Sequence, residues 1–150
     1  MDIKASNINK FLFFKLPSAF ICGVRAKYLD LQKCNVAVTH RWINQNPFNS
    51  MYFAVQAMAA ELSTGALVMS HIRKSNHKMS MLIVSNKSIF SKKATGKITF
   101  TCEDGDAISN AISIAINTGE GQTCWMKSVG RNTENEVVSE MDFEWTVNAK

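Results

Sequence analysis

Along most of the chain apolar and polar positions alternate, but one stretch breaks the pattern. From Met51 to Ile72 nearly every position is apolar, Tyr52, Phe53, Val55, Met58, Leu62, Leu67, Val68 and Met69 among them, and no polar stripe runs along it. A helix apolar on all sides is either a membrane span or the buried core of a soluble fold. Its length allows a span, yet Gln56 and Glu61 fall near its middle, where a charge is expensive in lipid. The rest of the chain reads as soluble strands, so a buried central helix is expected rather than a span. Ser50 stands where an N-cap would.

The flanking segments read as strands. Two are expected between Val24 and Trp42, the first holding Ala26, Tyr28 and Leu31, the second running from Cys34 to Trp42. Asn44 to Asn49 is a turn-rich loop. After the basic connector Arg73 to Lys78, strands are expected over Met79–Ser91 and Lys97–Cys102, joined by Lys92 to Gly96. A second helix follows over Ala107–Asn117, with Ile108, Ile112 and Ala115 on one face, acidic residues at its positive end and Gly119 closing it. The last two strands are expected over Gln122–Arg131 and Glu136–Asn148. Ahead of everything, Ile8 to Phe14 reads as a short amphipathic lead-in helix within residues 1–16, which Pro17 ends. One helix without a polar face needs a surface that curves around it, and a twisted antiparallel sheet supplies one. The expectation is a single α+β domain over residues 1–150.

Composition agrees and narrows the partners. Of 150 residues, 46% are hydrophobic and 19% charged, the range of ordinary globular domains rather than disordered chains. The net charge of +5 suits an anionic ligand. Lys and Arg are nevertheless scattered, with no nucleic-acid-reading motif, so no nucleic-acid partner is expected. Cys22, Cys34, Cys102 and Cys124 form no Cys-x-x-Cys pair and make no zinc spacing with His40, His71 and His77, so no metal site is expected. The polar start and the Lys15 interruption of Phe11–Phe14 argue against a secretory segment, and a cytoplasmic setting with reduced thiols is expected.

Glu61 is the outlier. A carboxyl in an apolar helix must be paired, protonated or open to a cleft, and burial would raise its pKa toward that of a general base working near neutrality. A structural ion pair with Arg or Lys is the competing reading. Asn46, in the loop before the helix, is able to orient a carbonyl or a water, or to do turn chemistry ahead of Pro47. The first helical N–H groups, around Tyr52 to Ala54, lack acceptors within the helix and could form an oxyanion hole. Gln56 reads as core or interface. No Gly-x-Ser-x-Gly elbow, Cys–His pair or phosphate-cradling glycine loop is present.

The stretch Asn46-Pro-Phe-Asn-Ser-Met-Tyr52-Phe53-Ala54, followed by Ala60-Glu61-Leu62-Ser63-Thr64-Gly65, resembles the hot-dog thioesterase superfamily. That family carries a loop Asn or Gln, then His-Gly-Gly opening the central helix, then an acid seven residues past the second Gly. Asn46, the Tyr52-Phe53-Ala54 triplet and Glu61 take those places, with Tyr-Phe-Ala departing from His-Gly-Gly. Phe90 to Gly96 resembles the family's turn between strands. The likeness is greatest to an uncharacterised branch, related to thioesterases of the phenylacetate-pathway and 4-hydroxybenzoyl-CoA types, in which a second helix precedes the last strand pair.

The resemblance implies a hot-dog fold, with a curved antiparallel sheet around a long central helix and a short extra helix before the last two strands. It implies hydrolysis of an acyl thioester carried on CoA or an acyl-carrier protein, with no cofactor beyond the CoA of the substrate. Glu61 would activate water or attack directly, the N–H of Phe53 or Ala54 would hold the oxyanion, and Asn46 would place carbonyl or water. Phe48, Tyr52, Gln56, Lys92 and Lys93 would contact substrate, with Arg73 and Lys74 as further candidates for the CoA phosphates. The family assembles as homodimers or tetramers, so Glu61 would face the loop of another subunit. Two alternatives stand beside hydrolysis: a non-catalytic acyl-CoA or lipid binder, and a dehydratase pairing Glu61 with His40.

Overall fold

In the computed structural model, which describes residues 3–150, the chain opens with helix α1, Ala5–Lys15, longer than the Ile8–Phe14 segment expected. Ile8 and Leu12, one turn apart, are its buried side chains. Asn9 clamps it in place, donating to the Ala26 carbonyl (2.9 Å) and accepting from the Ala26 amide (2.8 Å). The lead-in helix stops ahead of Pro17, as expected, with Leu16 as its C-cap, but Pro17 also opens new helical structure. Its missing N–H costs nothing at a first helical position, so it starts a second short helix, α2, Pro17–Ile21.

Strands β1, Arg25–Leu29, and β2, Cys34–Thr39, follow. Leu31 lies in the turn between them rather than in a strand, because the Asp30 carboxylate accepts from the amides of Gln32 and Lys33, both at 2.7 Å. The second strand also stops short of Trp42, where the chain enters a 3-10 turn, Trp42–Asn44. Buried Asn44 ties that turn down by donating to the carbonyls of Cys22 and Thr39, each at 2.9 Å.

The central helix, α3, spans Phe53–Ser75 with Tyr52 at its N-cap. Ser50 is not the cap. Its hydroxyl and amide turn back to the Asn46 side chain, fixing the loop two residues before the helix starts. At the other end the helix runs through Arg73 and Lys74, whose charges suit its negative terminus, and stops at Asn76 in the left-handed conformation, φ 57°. Then come β3 (Met79–Phe90), β4 (Lys97–Cys102), α4 (Gly105–Thr118), β5 (Gln122–Arg131) and β6 (Val137–Ala149).

All strands pair antiparallel in one sheet, in the order β1-β2-β4-β5-β6-β3. The sheet curves around α3, which packs on β1, β2, β4, β5 and β6, while α4 packs on α3, β5 and β6. Leu67, Val68 and Ala66 of α3 are fully buried, as are Ile98, Phe100, Met126 and Met141 beneath them. Although α3 has the length and hydropathy of a membrane span, most of it is enclosed in this core, and it is the core helix of a soluble fold. The twelve-residue β3 is an edge strand, paired only with β6, and Leu82, Val84, Ile89 and Phe90 on it are exposed.

Candidate active site

The start of α3 opens into a groove of about 540 Å³. Asn46, Phe48, Tyr52, Phe53, Gln56, Lys92 and Lys93 line it, together with Phe90 at the end of β3. Local sequence explains the gathering. The side-chain oxygen Oδ1 of Asn46 accepts from the backbone amides of Phe48 (2.9 Å) and Ser50 (3.3 Å), and its side-chain Nδ2 donates to the Ser50 hydroxyl (2.9 Å). An Asn at the head of a turn does this because its side chain mimics the backbone. The folded loop then hands the chain to the helix through Tyr52, whose amide donates to the Asn44 carbonyl at 2.9 Å.

Two backbone donors stand at the start of α3. Tyr52 caps no N–H with its side chain, and its carbonyl accepts from Val55 (3.0 Å) and Gln56 (3.3 Å), leaving the amides of Phe53 and Ala54 without an acceptor among the described residues. An anionic oxygen is the natural complement to such a pair at the positive end of a helix. The walls are apolar: Tyr52 and Phe53 meet edge to face at 5.1 Å, and Phe53 meets Phe90 at 6.3 Å. Gln56 is buried, accepting from the Ser139 hydroxyl at 2.9 Å. Lys92 is neutralised by Glu136 at 2.6 Å, whereas the Lys93 ammonium donates only to the Phe48 carbonyl, at 3.3 Å.

Glu61 lies elsewhere on the same helix. Eight residues separate it from Phe53, about 12 Å along the axis, and it is not among the groove's lining residues. Its carboxyl sits over Gly65 beside the Trp145 ring: a Cβ at Gly65 would stand 3.0 Å from Glu61 Oε1 and 3.2 Å from the indole. The indole is fixed from behind, its N–H donating to the Thr64 hydroxyl at 2.9 Å, while that hydroxyl donates to the Glu61 carbonyl at 2.9 Å. None of the ion pairs, Lys92–Glu136, Lys127–Glu140 and Lys127–Asp142, involves Glu61. Burial alone therefore acts on the carboxyl and pushes its pKa up to about 7.

The structure thus brings Asn46, Phe48, the helix start, Gln56 and the Lys92–Lys93 pair together, and leaves Glu61 apart from them within one chain. Arg73 and Lys74 border a different cavity, about 730 Å³, at the far end of α3 beside Asp30 and Gln32. His40 directly follows β2, with its amide on the Gly96 carbonyl (2.9 Å) and its Nε2 buried without a partner among the described residues. Thiol chemistry has no foothold at Cys34 and Cys102, which face each other across β2 and β4 and are pushed by burial up to about 12. Among the described residues, no three His, Cys, Asp or Glu side chains converge as metal ligands. Trp145 and Gly65 were not picked out from the sequence. A glycine inside a helix was the available sign of a close approach, but its partner lies eighty positions away.

The architecture defines the class first: a sheet curved around one long helix is the hot-dog fold. Solved structures with the same fold include PA5026 of Pseudomonas aeruginosa, described as a protein of unknown function and "Probable Thioesterase" (TM-score 0.84, 19% identity, covering 100% of this chain and 99% of that one). Another is the thioesterase HI1161 of Haemophilus influenzae (TM-score 0.76, 13% identity, covering 99% and 93%). A third is OLEI01261 of Chlorobaculum tepidum, of unknown function (TM-score 0.83, 12% identity, covering 99% of each). No curated protein matches the chain in sequence. Over residues 5–147 the chain matches the family described as "Domain of unknown function (DUF4442)", and it belongs to that family.

Proposed function

We propose that the protein hydrolyses an acyl thioester carried on CoA or an acyl-carrier protein, as a homodimer in which Glu61 of one copy meets the groove of the other. The observation that carries this reading is Glu61 itself: a carboxyl with no ion-pair partner among the described residues, held by burial at a pKa of about 7. Such a group, maintained at a cost to folding, is a functional candidate. The separation of Glu61 from the groove supports a site built from two chains, and the unpaired edge of β3 supplies a surface that a second copy would cover.

In this reading the thioester carbonyl oxygen lies at the amides of Phe53 and Ala54, and the acyl group lies along Tyr52, Phe53 and Phe90. Ionised Glu61 takes a proton from water as the hydroxyl oxygen bonds to the carbonyl carbon. The negative charge gathers on the oxygen held by the two amides. Collapse of that intermediate breaks the carbon–sulfur bond, and the proton on Glu61 passes to the departing sulfur, giving a carboxylic acid and a free thiol. Lys93 stands ready for a phosphate of the carrier. The test is thiol release from a panel of acyl-CoA chain lengths, with Glu61→Gln as the control. Turnover lost in that variant while its fold persists supports hydrolysis. If acyl-CoA raises the melting temperature while no thiol appears at any chain length, the protein is a binder and the hydrolase reading fails.

A further inference from the structure

Remote from the groove, the first two helices expose an unusual set of side chains. Phe14 is 74% exposed and Ile21 61%, with Phe11, Phe13 and Leu16 exposed beside them. Phe13 stacks edge to face on both Phe14 (4.9 Å) and Phe20 (5.1 Å), and the Arg25 guanidinium lies 3.6 Å over the Phe20 ring. The 3-10 turn, tied to the end of α2 through Asn44 and the Cys22 carbonyl, adds Trp42, 81% exposed, and Ile43. Exposed apolar clusters of this kind mark interaction sites. The segments that carry the cluster are basic: Lys10, Lys15, Arg25 and Lys27 stand in it with no acidic residue between them, and Arg41 adds another cation close to Arg25.

We infer that α1, α2 and the Trp42 turn form a docking surface for an anionic lipid bilayer. Aromatic and aliphatic side chains among cations are what an interfacial helix presents to headgroups and acyl chains. Phe13, Phe14, Ile21 and Trp42 are each more than half exposed, so these side chains protrude, which suits a fluid surface better than a peptide. A second copy is disfavoured as occupant, because an isologous contact would bring together two patches of the same positive sign. The patch also stays open if copies pair along β3, since α1 packs on β1 at the opposite edge of the sheet. The inference does not depend on the thioesterase reading.

The experiment is co-sedimentation of the full chain with vesicles of phosphatidylcholine alone and of phosphatidylcholine with phosphatidylglycerol. Wild type is expected in the pellet only with the anionic vesicles, with Trp fluorescence shifting to the blue in wild type and not in Trp42→Ser. Phe14→Ser with Ile21→Ser should weaken partition on the order of ten-fold or more, and Lys10→Glu with Lys15→Glu likewise, since each cation at an anionic surface is worth about five-fold. These positions are exposed, so the circular dichroism and melting temperature of the variants should match wild type. The inference is overturned if wild type ignores anionic vesicles or prefers neither kind. It is equally overturned if the variants instead shift the mass in light scattering, which would assign the patch to a second copy, or abolish a complex with an acidic carrier protein while lipid leaves the protein in solution.

Discussion

Replacing Glu61 by Gln removes a charge and keeps the shape, so it measures what burial of the carboxylate costs. The ordinary pKa of 4.5 is raised to about 7 by desolvation, with no attractive partner opposing it. The folded state therefore holds the Glu61 proton more tightly than the unfolded chain does. Its contribution is intact below pH 4.5, is lost as pH rises toward 7, and leaves an ionised, poorly solvated group above that. At about 1.36 kcal/mol per pH unit, the upper bound of that cost is about 3 kcal/mol. Urea unfolding of wild type and Glu61→Gln at acid and at mildly alkaline pH separates the two regimes. The variant is expected to match wild type in acid and to gain up to that amount above neutrality, while thiol release falls by orders of magnitude. Equal stability at both pH values would mean that the carboxylate is well solvated or paired, and the argument for Glu61 as a tuned base would collapse.

Three further outcomes follow from the same geometry. The rate of thiol release should rise with pH through a limb near 7, because only ionised Glu61 accepts a proton; a flat profile there points to another base. Gly65→Ala gains about 1 kcal/mol of helix propensity but places a methyl 3.0 Å from Glu61 Oε1 against a ring anchored on Thr64. Activity should fall well beyond any change in melting temperature, and an unchanged kcat would show that the carboxyl is free to move. Asn46→Ala removes the acceptor for two loop amides, at a cost of about 1–2 kcal/mol, and should raise KM as the groove loosens; a melting temperature equal to that of wild type would show that the loop holds without it.

The central helix was legible because a run without a polar face can exist only where something surrounds it, and the surround had to be the strands that filled the rest of the chain. Glu61 was legible for the same reason, as the charge that did not fit. The groove residues were legible because they lie within a few positions of one another on a loop, a helix start and the Lys92–Gly96 turn. What escaped depended on contacts distant in sequence. Pro17 ends α1 as read, but the second helix that it opens, α2, was not legible from the segment alone. Ser50 read as a cap until Asn46 claimed its hydroxyl. Trp145, which shields Glu61, reads only as one more inward residue of β6, because periodicity says which face a side chain occupies and not what lies opposite.

The geometry of β3 makes the proposed dimer quantitative. Trp145, beside Glu61, is the cross-strand neighbour of Ile83, and Phe90, at the end of the same strand, lines the groove. Because of the bulge between Ile83 and Ser85, those two positions are six ladder steps apart, about 20 Å, so one copy cannot close the gap. A second copy pairing antiparallel along the free edge, with its two-fold axis at Lys87, would set Ile83 of each copy beside Phe90 of the other. Both Glu61–groove separations close at once, and a long exposed edge that would otherwise invite aggregation is covered. A single cysteine at Lys87→Cys should then cross-link two chains under mild oxidation and elute with the mass of a dimer, with thiol release retained. A chain that light scattering finds monomeric while it still turns over thioester would sink this arrangement, because no monomer brings the base to the oxyanion donors.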